Sequence, residues 1–520
     1  MKIRLGMKVI KVNRLGWVII VLTLLHVLPI WSFRYFPSQD GPCHLENSYM
    51  LLHYFDKDKT YSRYYELNLK PFPNWFSHLT LAFMMLLLPP IISEKILLTA
   101  YVILFVLSIL YFLRSVDEEK LLLSLFAFPF IYNYLLHMGF YNFSFSFPLT
   151  FLTIGYWWRR RERWNEWRVM VGLNLLLIFL YFCHILSQLL AVGSILLLAA
   201  LYNRVRVQRT AVLAVSLLPS YLLPIYFVRT YTLRHGGRWA MGDLLSYFSK
   251  IGSLTSFDLR GYHLGRGVAI LFALLLLYTL FWEKLRLKGG RFRFDMKDCF
   301  FLLAVIFFGL YLYMPDGISG GGFVTTRLNL YPFIVILPWL SVRFVRPVKY
   351  VIGGVLILVS LVHLGFTSYY YFVLNRGLEE YTSGIPYVGA NETILPLSFD
   401  HYGRSARIGL YLHAAGYYCA EKGAIELDNY EGATGYFPLS YRSSMNPFKL
   451  IGNIEGDPGN VHPEKYPEPI DYILLWSPKD QFPALKWIER NYRLIHSRGR
   501  LRLYRRISPR VSSQPLTVTP

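Results

Sequence analysis

The chain has 520 residues, 54% hydrophobic and only 17% charged, with a formal net charge of +22. An ordinary soluble domain is about a quarter charged, so this composition excludes a plain water-soluble fold and points to lipid as the solvent. The positive balance does not indicate nucleic acid, because the basic residues are gathered on no single helix or tail and sit instead between apolar runs.

Lys2, Arg4, Lys8, Lys11 and Arg14 precede the first apolar run, 16–31, which no small-residue cleavage site follows; it reads as an uncleaved anchor leaving a cytoplasmic N-terminus. Residues 32–73 then form a long polar external loop. Four apolar stretches follow, 75–92, 96–113, 121–136 and 140–158, before a basic cluster at 159–168. If that cluster is cytoplasmic, parity requires one of the four to fail as a span. The region 132–148, interrupted by Asn133, His137, Gly139, Asn142 and Pro148, is the first candidate, and a break at Pro89-Pro90 is the alternative. Asn133, Tyr134, His137, Tyr141 and Asn142 are too polar for a lipid-facing helix and should line an interior.

Residues 169–201 read as a two-helix hairpin turning near His184, with Gln188 one turn on. After the basic cluster 204–209, spans are expected at 211–228, 268–282, 300–314, 328–340 and 351–373, with an external loop at 229–267 and a basic loop at 284–297. The expected fold class is therefore an α-helical polytopic membrane protein of about 11 transmembrane helices, residues 1–373, followed by an extracytoplasmic α/β domain, 374–520. Strand-like runs lie at 393–399, 424–427 and 470–476, helix-like stretches at 404–422 and 483–490, and a hairpin turns at Gly499. The tail from about 508 reads as disordered. The C-terminal domain carries no phosphate-binding glycine motif, and Asn391-Glu392-Thr393 fits a glycosylation sequon. The four cysteines, Cys43, Cys183, Cys299 and Cys419, are too scattered for a disulfide framework or a metal motif, although a Cys43–Cys419 bridge stays open.

The most informative segment is Gln39-Asp40-Gly41-Pro42-Cys43-His44-Leu45-Glu46-Asn47, just past the outer end of the first run. Asp40 precedes a Gly-Pro turn, and His44 and Glu46 begin what reads as an interfacial helix running to Phe55. A carboxylate there meets the bilayer surface yet stays wet enough to ionise. Farther on, Arg327 follows the glycine-rich loop 317–322, and Arg229, Arg234, His235 and Arg238 form a second external basic group.

A basic start, one span, an Asp-bearing motif on the first external loop, many further spans and an external C-terminal domain resemble the GT-C superfamily of membrane glycosyltransferases. The anchor of the resemblance is the segment 38–46, with support from His137-Met138-Gly139-Phe140-Tyr141-Asn142. It implies transfer, with inversion, of a sugar from a polyprenyl-phosphate donor to a glycan, lipid or protein acceptor on the outer face of the plasma (cytoplasmic) membrane. The position matching the family's first-loop aspartate is Asp40, as base or as ligand of an activating divalent cation (Mg or Mn). The resemblance leaves the second carboxylate open: Glu46 is nearest, and Asp258 and Asp316 are remote. His44 would orient Asp40 or bind acceptor. The donor phosphate falls to Arg327 first, because the guanidinium fork binds phosphate bidentately, with Arg238, His184 and Asn142 as further binding candidates. A transporter or flippase of lipid-linked sugars and a non-catalytic scaffold are the competing readings. Spans nearly free of charge, with polarity gathered on one face, favour surface chemistry over alternating access.

Overall fold

A computed structural model describes residues 3–5, 8–10, 14–202, 207–231, 236–286, 295–318 and 321–507. The chain divides into two compact units. The first comprises Met1–Phe36, Pro71–Ser77 and Lys95–Phe372, and the second Pro37–Lys70, His78–Glu94 and Val373–Pro520. The stretch 37–70, read from sequence as a loop of the membrane part, thus belongs with the C-terminal residues.

Among the described residues six helices are long and apolar enough to cross a membrane: Arg14–Ser32, Pro90–Val116, Glu118–His137, Ile185–Tyr202, Gly261–Lys284 and Arg346–Tyr387. A seventh crossing arises if Val207–Ser216 and Leu218–Thr230, bent by 67°, count as one. The protein is therefore a helical membrane protein, but the expectation of about 11 spans is too high. Three of the shortfalls have a local cause. Phe76–Met85 has only 10 residues and ends before Pro89-Pro90, and at about 1.5 Å per residue it covers half a bilayer core. Asp298–Tyr313, at 16 residues, is also short. The expected span 328–340 is broken into Val324–Leu328 and Tyr331–Val335, because Pro332 and Pro338 each remove a backbone donor. That irregular backbone survives because residues 328–342 are buried in protein rather than exposed to lipid.

The outward faces suit lipid. Val21, Leu24 and Leu28 are exposed on the first helix, whereas Ile19, Leu22 and His26 are buried. Tyr141–Arg160 behaves oppositely. It is a regular helix, buried along most of its length, and it spends its hydroxyls on neighbours, with Ser146 Oγ 2.6 Å from Ser187 Oγ and Ser187 Oγ 2.8 Å from Tyr331 Oη. The polar group Asn133, Tyr134, His137, Tyr141 and Asn142 is buried, as an interior lining requires. The hairpin turn at His184 is present, between Trp167–Cys183 and Ile185–Tyr202.

The second unit is built on a five-stranded sheet in the order Ile425–Glu426, Thr393–Ser398, Tyr472–Trp476, Leu501–Arg506, Tyr492–Arg498. The first three strands are parallel and the last two antiparallel, with Leu395 opposite Ile473 and Leu474 opposite Leu503. Tyr472–Trp476 is central and buried on both faces, which is why it reads as a continuous apolar run instead of an alternating one. The expected helix 404–422 is realised only as Gly416–Lys422. It packs on Gly41–Leu52, and Gly416 is needed at the crossing: a Cβ there would lie 2.6 Å from the Pro42 carbonyl oxygen. All four cysteines are free thiols, so the Cys43–Cys419 bridge is not formed. The tail beyond 507 lies outside the described residues.

Candidate functional site

Gly41–Leu52 positions the chemistry of the second unit. Pro42 in its first turn suits a helix start, since an N–H there would have no intrahelical acceptor. The interfacial, solvated helix expected from sequence is instead sheathed in protein, with Cys43, His44, Leu45, Glu46, Asn47 and Ser48 all buried.

Asp40 sits at the N-cap, but its side chain makes no capping bond. Its Oδ2 accepts from Tyr430 Oη at 3.1 Å, its Oδ1 accepts from Gln39 Nε2 at 3.1 Å, and His413 Nε2 lies 3.6 Å from Oδ1. Gln39 is itself fixed, because its Oε1 accepts from the Gly409 amide at 3.0 Å. Asp40 is 3% exposed, and burial pushes its carboxyl up to about 8, against the opposing hydrogen bonds from Gln39 and Tyr430. The expected wet, already ionised aspartate is therefore corrected to a buried one that holds its proton near neutrality. His413, stacked on Tyr430 at 4.6 Å between ring centroids, is pushed down to about 3 by burial and stays neutral.

One turn along, His44 Nδ1 lies 3.1 Å from His78 Nε2 and 3.2 Å from Glu431 Oε1, and His78 Nε2 lies 2.7 Å from Glu431 Oε2. Despite burial, which opposes ionisation, His78 and His44 hold the Glu431 carboxyl below the usual range. Asn47 Nδ2 donates to Glu431 Oε2 at 2.7 Å, and Asn429 pairs with Asn47 while its own side chain caps the short Tyr430–Thr434 helix. His44, His78 and Glu431 can together offer two imidazole nitrogens and a carboxylate oxygen to one metal ion.

Glu46 does not join this group. It faces Glu426 and Cys419, with one ligand atom from each of the three within 4.8 Å of the others. Burial pushes Glu46 up to about 7 and Glu426 well above the carboxylate range. The two carboxyls face each other with no hydrogen bond from the described residues to any of their four oxygens, and burial favours the protonated form of both.

The remaining expected site residues belong to the first unit. Arg327 lies over the rings of Phe140, at 4.8 Å, and Phe143, at 5.4 Å, and donates to the Gly322 carbonyl. His184 meets the same Phe143 ring edge-on at 5.3 Å, and its Nδ1 accepts from the Leu186 amide. Asn142 is spent on backbone, accepting from the Ser77 amide at 2.8 Å and donating to the Asn74 carbonyl at 3.1 Å, so it acts as a structural brace. Arg238 is exposed; Arg234 and His235 lie outside the described residues. Asp258 is paired with Arg260 and Tyr370, and Asp316 caps the Thr325 amide.

His78, His413, Tyr430 and Glu431 escaped the sequence reading. His78 lies in a run read as a span, and the others lie more than 350 residues from Asp40 with no shared motif. The only local signal was Asn429, an N-cap residue type immediately before Tyr430-Glu431. No protein-family model matches the chain, and no curated protein matches it.

Proposed function

We propose that the chain is a membrane glycosyltransferase that moves a sugar from a polyprenyl-phosphate donor to a hydroxyl acceptor at the extracytoplasmic membrane surface. The observation that carries this reading is the setting of Asp40. It is a buried carboxyl tuned to about 8, oriented by Tyr430 and Gln39, on the segment that follows the first membrane helix. A general base works best with a pKa near the working pH; with its carboxyl at about 8, Asp40 accepts the proton from its ionised form, whose share grows as pH rises through that value. In the proposed step the acceptor oxygen bonds to the anomeric carbon and its proton passes to Asp40. The bond from that carbon to the phosphate oxygen breaks, and the electron pair leaves on the lipid phosphate. One displacement inverts the anomeric centre.

The membrane unit supplies features suited to a lipid donor. A cavity of about 440 Å³ is lined by Phe248, Phe272, Phe308 and Phe333 and suits an isoprenoid chain. Arg327, braced on two phenylalanine rings, offers the planar fork that suits a phosphate. The test is transfer from a panel of short-chain polyprenyl-phosphate sugars by the protein in nanodiscs. Asp40→Asn should lower turnover by about 100-fold or more and leave polyprenyl-phosphate binding intact. Near-normal transfer by Asp40→Asn, or no transfer by the wild type from any donor, overturns the reading.

A further inference from the structure

The three-cornered contact of His44, His78 and Glu431 is hard to satisfy with protons alone. If both imidazoles donated to Glu431, two N–H groups would face each other across the 3.1 Å between His44 Nδ1 and His78 Nε2. If only His78 donates, Glu431 Oε1 and His44 Nδ1 remain as two acceptors 3.2 Å apart. The geometry matches the second case: Glu431 Oε1 is buried and accepts no hydrogen bond although the ring nitrogen is that close. All three residues are buried, so water does not relieve the conflict cheaply.

A cation bound by the two imidazole nitrogens and one Glu431 oxygen relieves it, because each ligand atom then offers a lone pair. Four ligands on a tetrahedral zinc at about 2.0–2.1 Å stand about 3.3 Å apart. His44 Nδ1 and His78 Nε2 are 3.1 Å apart, already close to that edge length; the two Glu431 oxygens take different partners, Oε1 at 3.2 Å from His44 Nδ1 and Oε2 at 2.7 Å from His78 Nε2, and one ligand atom from each of the three residues lies within 4.8 Å of the others. The supporting residues also fit, since Asn47 holds Glu431 Oε2 and is itself paired with Asn429. We propose that His44, His78 and Glu431 bind a zinc-class transition metal ion through two imidazole nitrogens and one carboxylate, leaving a fourth position for water or a ligand oxygen. Two nitrogens and a single carboxylate disfavour magnesium or calcium, which take oxygen cages, so the ligand set differs from the Mg or Mn centre on Asp40 that the sequence resemblance implied. The site stands apart from the glycosyl-transfer reading, because metal retention is measured with no sugar donor present.

The experiment uses the full chain in nanodiscs, prepared without chelator and assayed by elemental mass spectrometry, then stripped and titrated with Zn²⁺ against a chromophoric chelator and with Co²⁺. The expected result is about one zinc per chain and the intense visible absorption of four-coordinate cobalt. His78→Ala should weaken zinc binding by at least about 100-fold, and Asn47→Ala, which leaves the ligands in place, by about 10- to 100-fold. A wild-type protein that holds no zinc above background and gives only the pale spectrum of six-coordinate cobalt overturns the site. So does zinc affinity unchanged in Asn47→Ala together with His78→Ala. Should His78→Ala fail to fold, the wild-type cobalt spectrum and Asn47→Ala decide the matter.

Discussion

One helix, Gly41–Leu52, carries residues of two buried clusters that solve the same electrostatic problem in opposite ways. His44 and Glu46 are two positions apart, about 200° around the helix, and so face different neighbours. On the His44 side Glu431 is met by imidazoles, and its carboxyl is held below the usual range in spite of full burial. On the Glu46 side the neighbours are Glu426 and Cys419, and burial pushes both carboxyls upward, as it does that of Asp428. Burial alone thus does not decide whether a glutamate in this unit is charged. The partner decides, and a nitrogen-rich pocket is built for a charge where an acid-rich pocket is built for a proton.

The largest effect that can break this comparison is on stability. Glu431→Gln, measured on chelator-stripped protein, removes the charge that the facing imidazoles favour and leaves them uncompensated. Breaking a buried ionic group in this way costs about 3 kcal/mol, or roughly 6–12 °C in apparent midpoint for a chain of this kind. Glu46→Gln should cost far less, since it replaces a group that is largely protonated with a neutral one of the same shape. Equal losses in the two variants, read by differential scanning fluorimetry, would remove the distinction between the pockets.

A smaller effect sharpens it through pH. The folded-state pKa of Glu46, about 7, lies above the ordinary glutamate value near 4.5, so the folded protein binds more protons than the unfolded chain between those values. Its contribution to stability is fully present below about 4.5 and is lost as pH rises through about 7. Glu46→Gln should flatten the decline of the melting midpoint across that window, with a gain of about 2–5 °C relative to wild type at the alkaline end. A midpoint that falls equally steeply in the variant would show that Glu46 is ionised throughout.

The segment 37–47 was legible because three ionisable groups crowd beside a Gly-Pro turn, a density that sequence displays directly. What they do was not legible. Glu46 looked like a solvated helix position, and only the placement of Glu426 and Cys419, more than 370 residues away, turns it into a buried acid. Strands were legible at Tyr472–Trp476, a short apolar run, and at the hairpin turning at Gly499, but the pair Tyr65–Leu67 and Leu439–Tyr441 was missed. Spans were overcounted because a run buried by protein resembles one buried by lipid. Residues 328–340 are apolar for the first reason and not for the second. His78 was hidden by the same confusion, inside a stretch whose proline pair ends the helix before it can cross.

The mildest test concerns Cys419, the third member of the acid-rich pocket. Burial, together with Glu46 and Glu426 beside it, pushes its thiol well above the usual range, so it remains a neutral S–H beside Glu46. Cys419→Ala removes one small polar neighbour and leaves the two buried carboxyls in place. The expected cost is at most about 1 kcal/mol, a shift in midpoint of roughly 2–4 °C, with the Glu46 titration displaced slightly upward. Because all four cysteines are free and buried, the folded wild type should resist alkylation and the denatured chain should take up four labels by intact-mass spectrometry. A denatured chain that takes up only two labels would mean that Cys43 and Cys419 are joined. Cys419 would then be a structural link between its own helix and Gly41–Leu52. The contrast between a pocket held by imidazoles and a pocket held by protons would have to be redrawn around a disulfide.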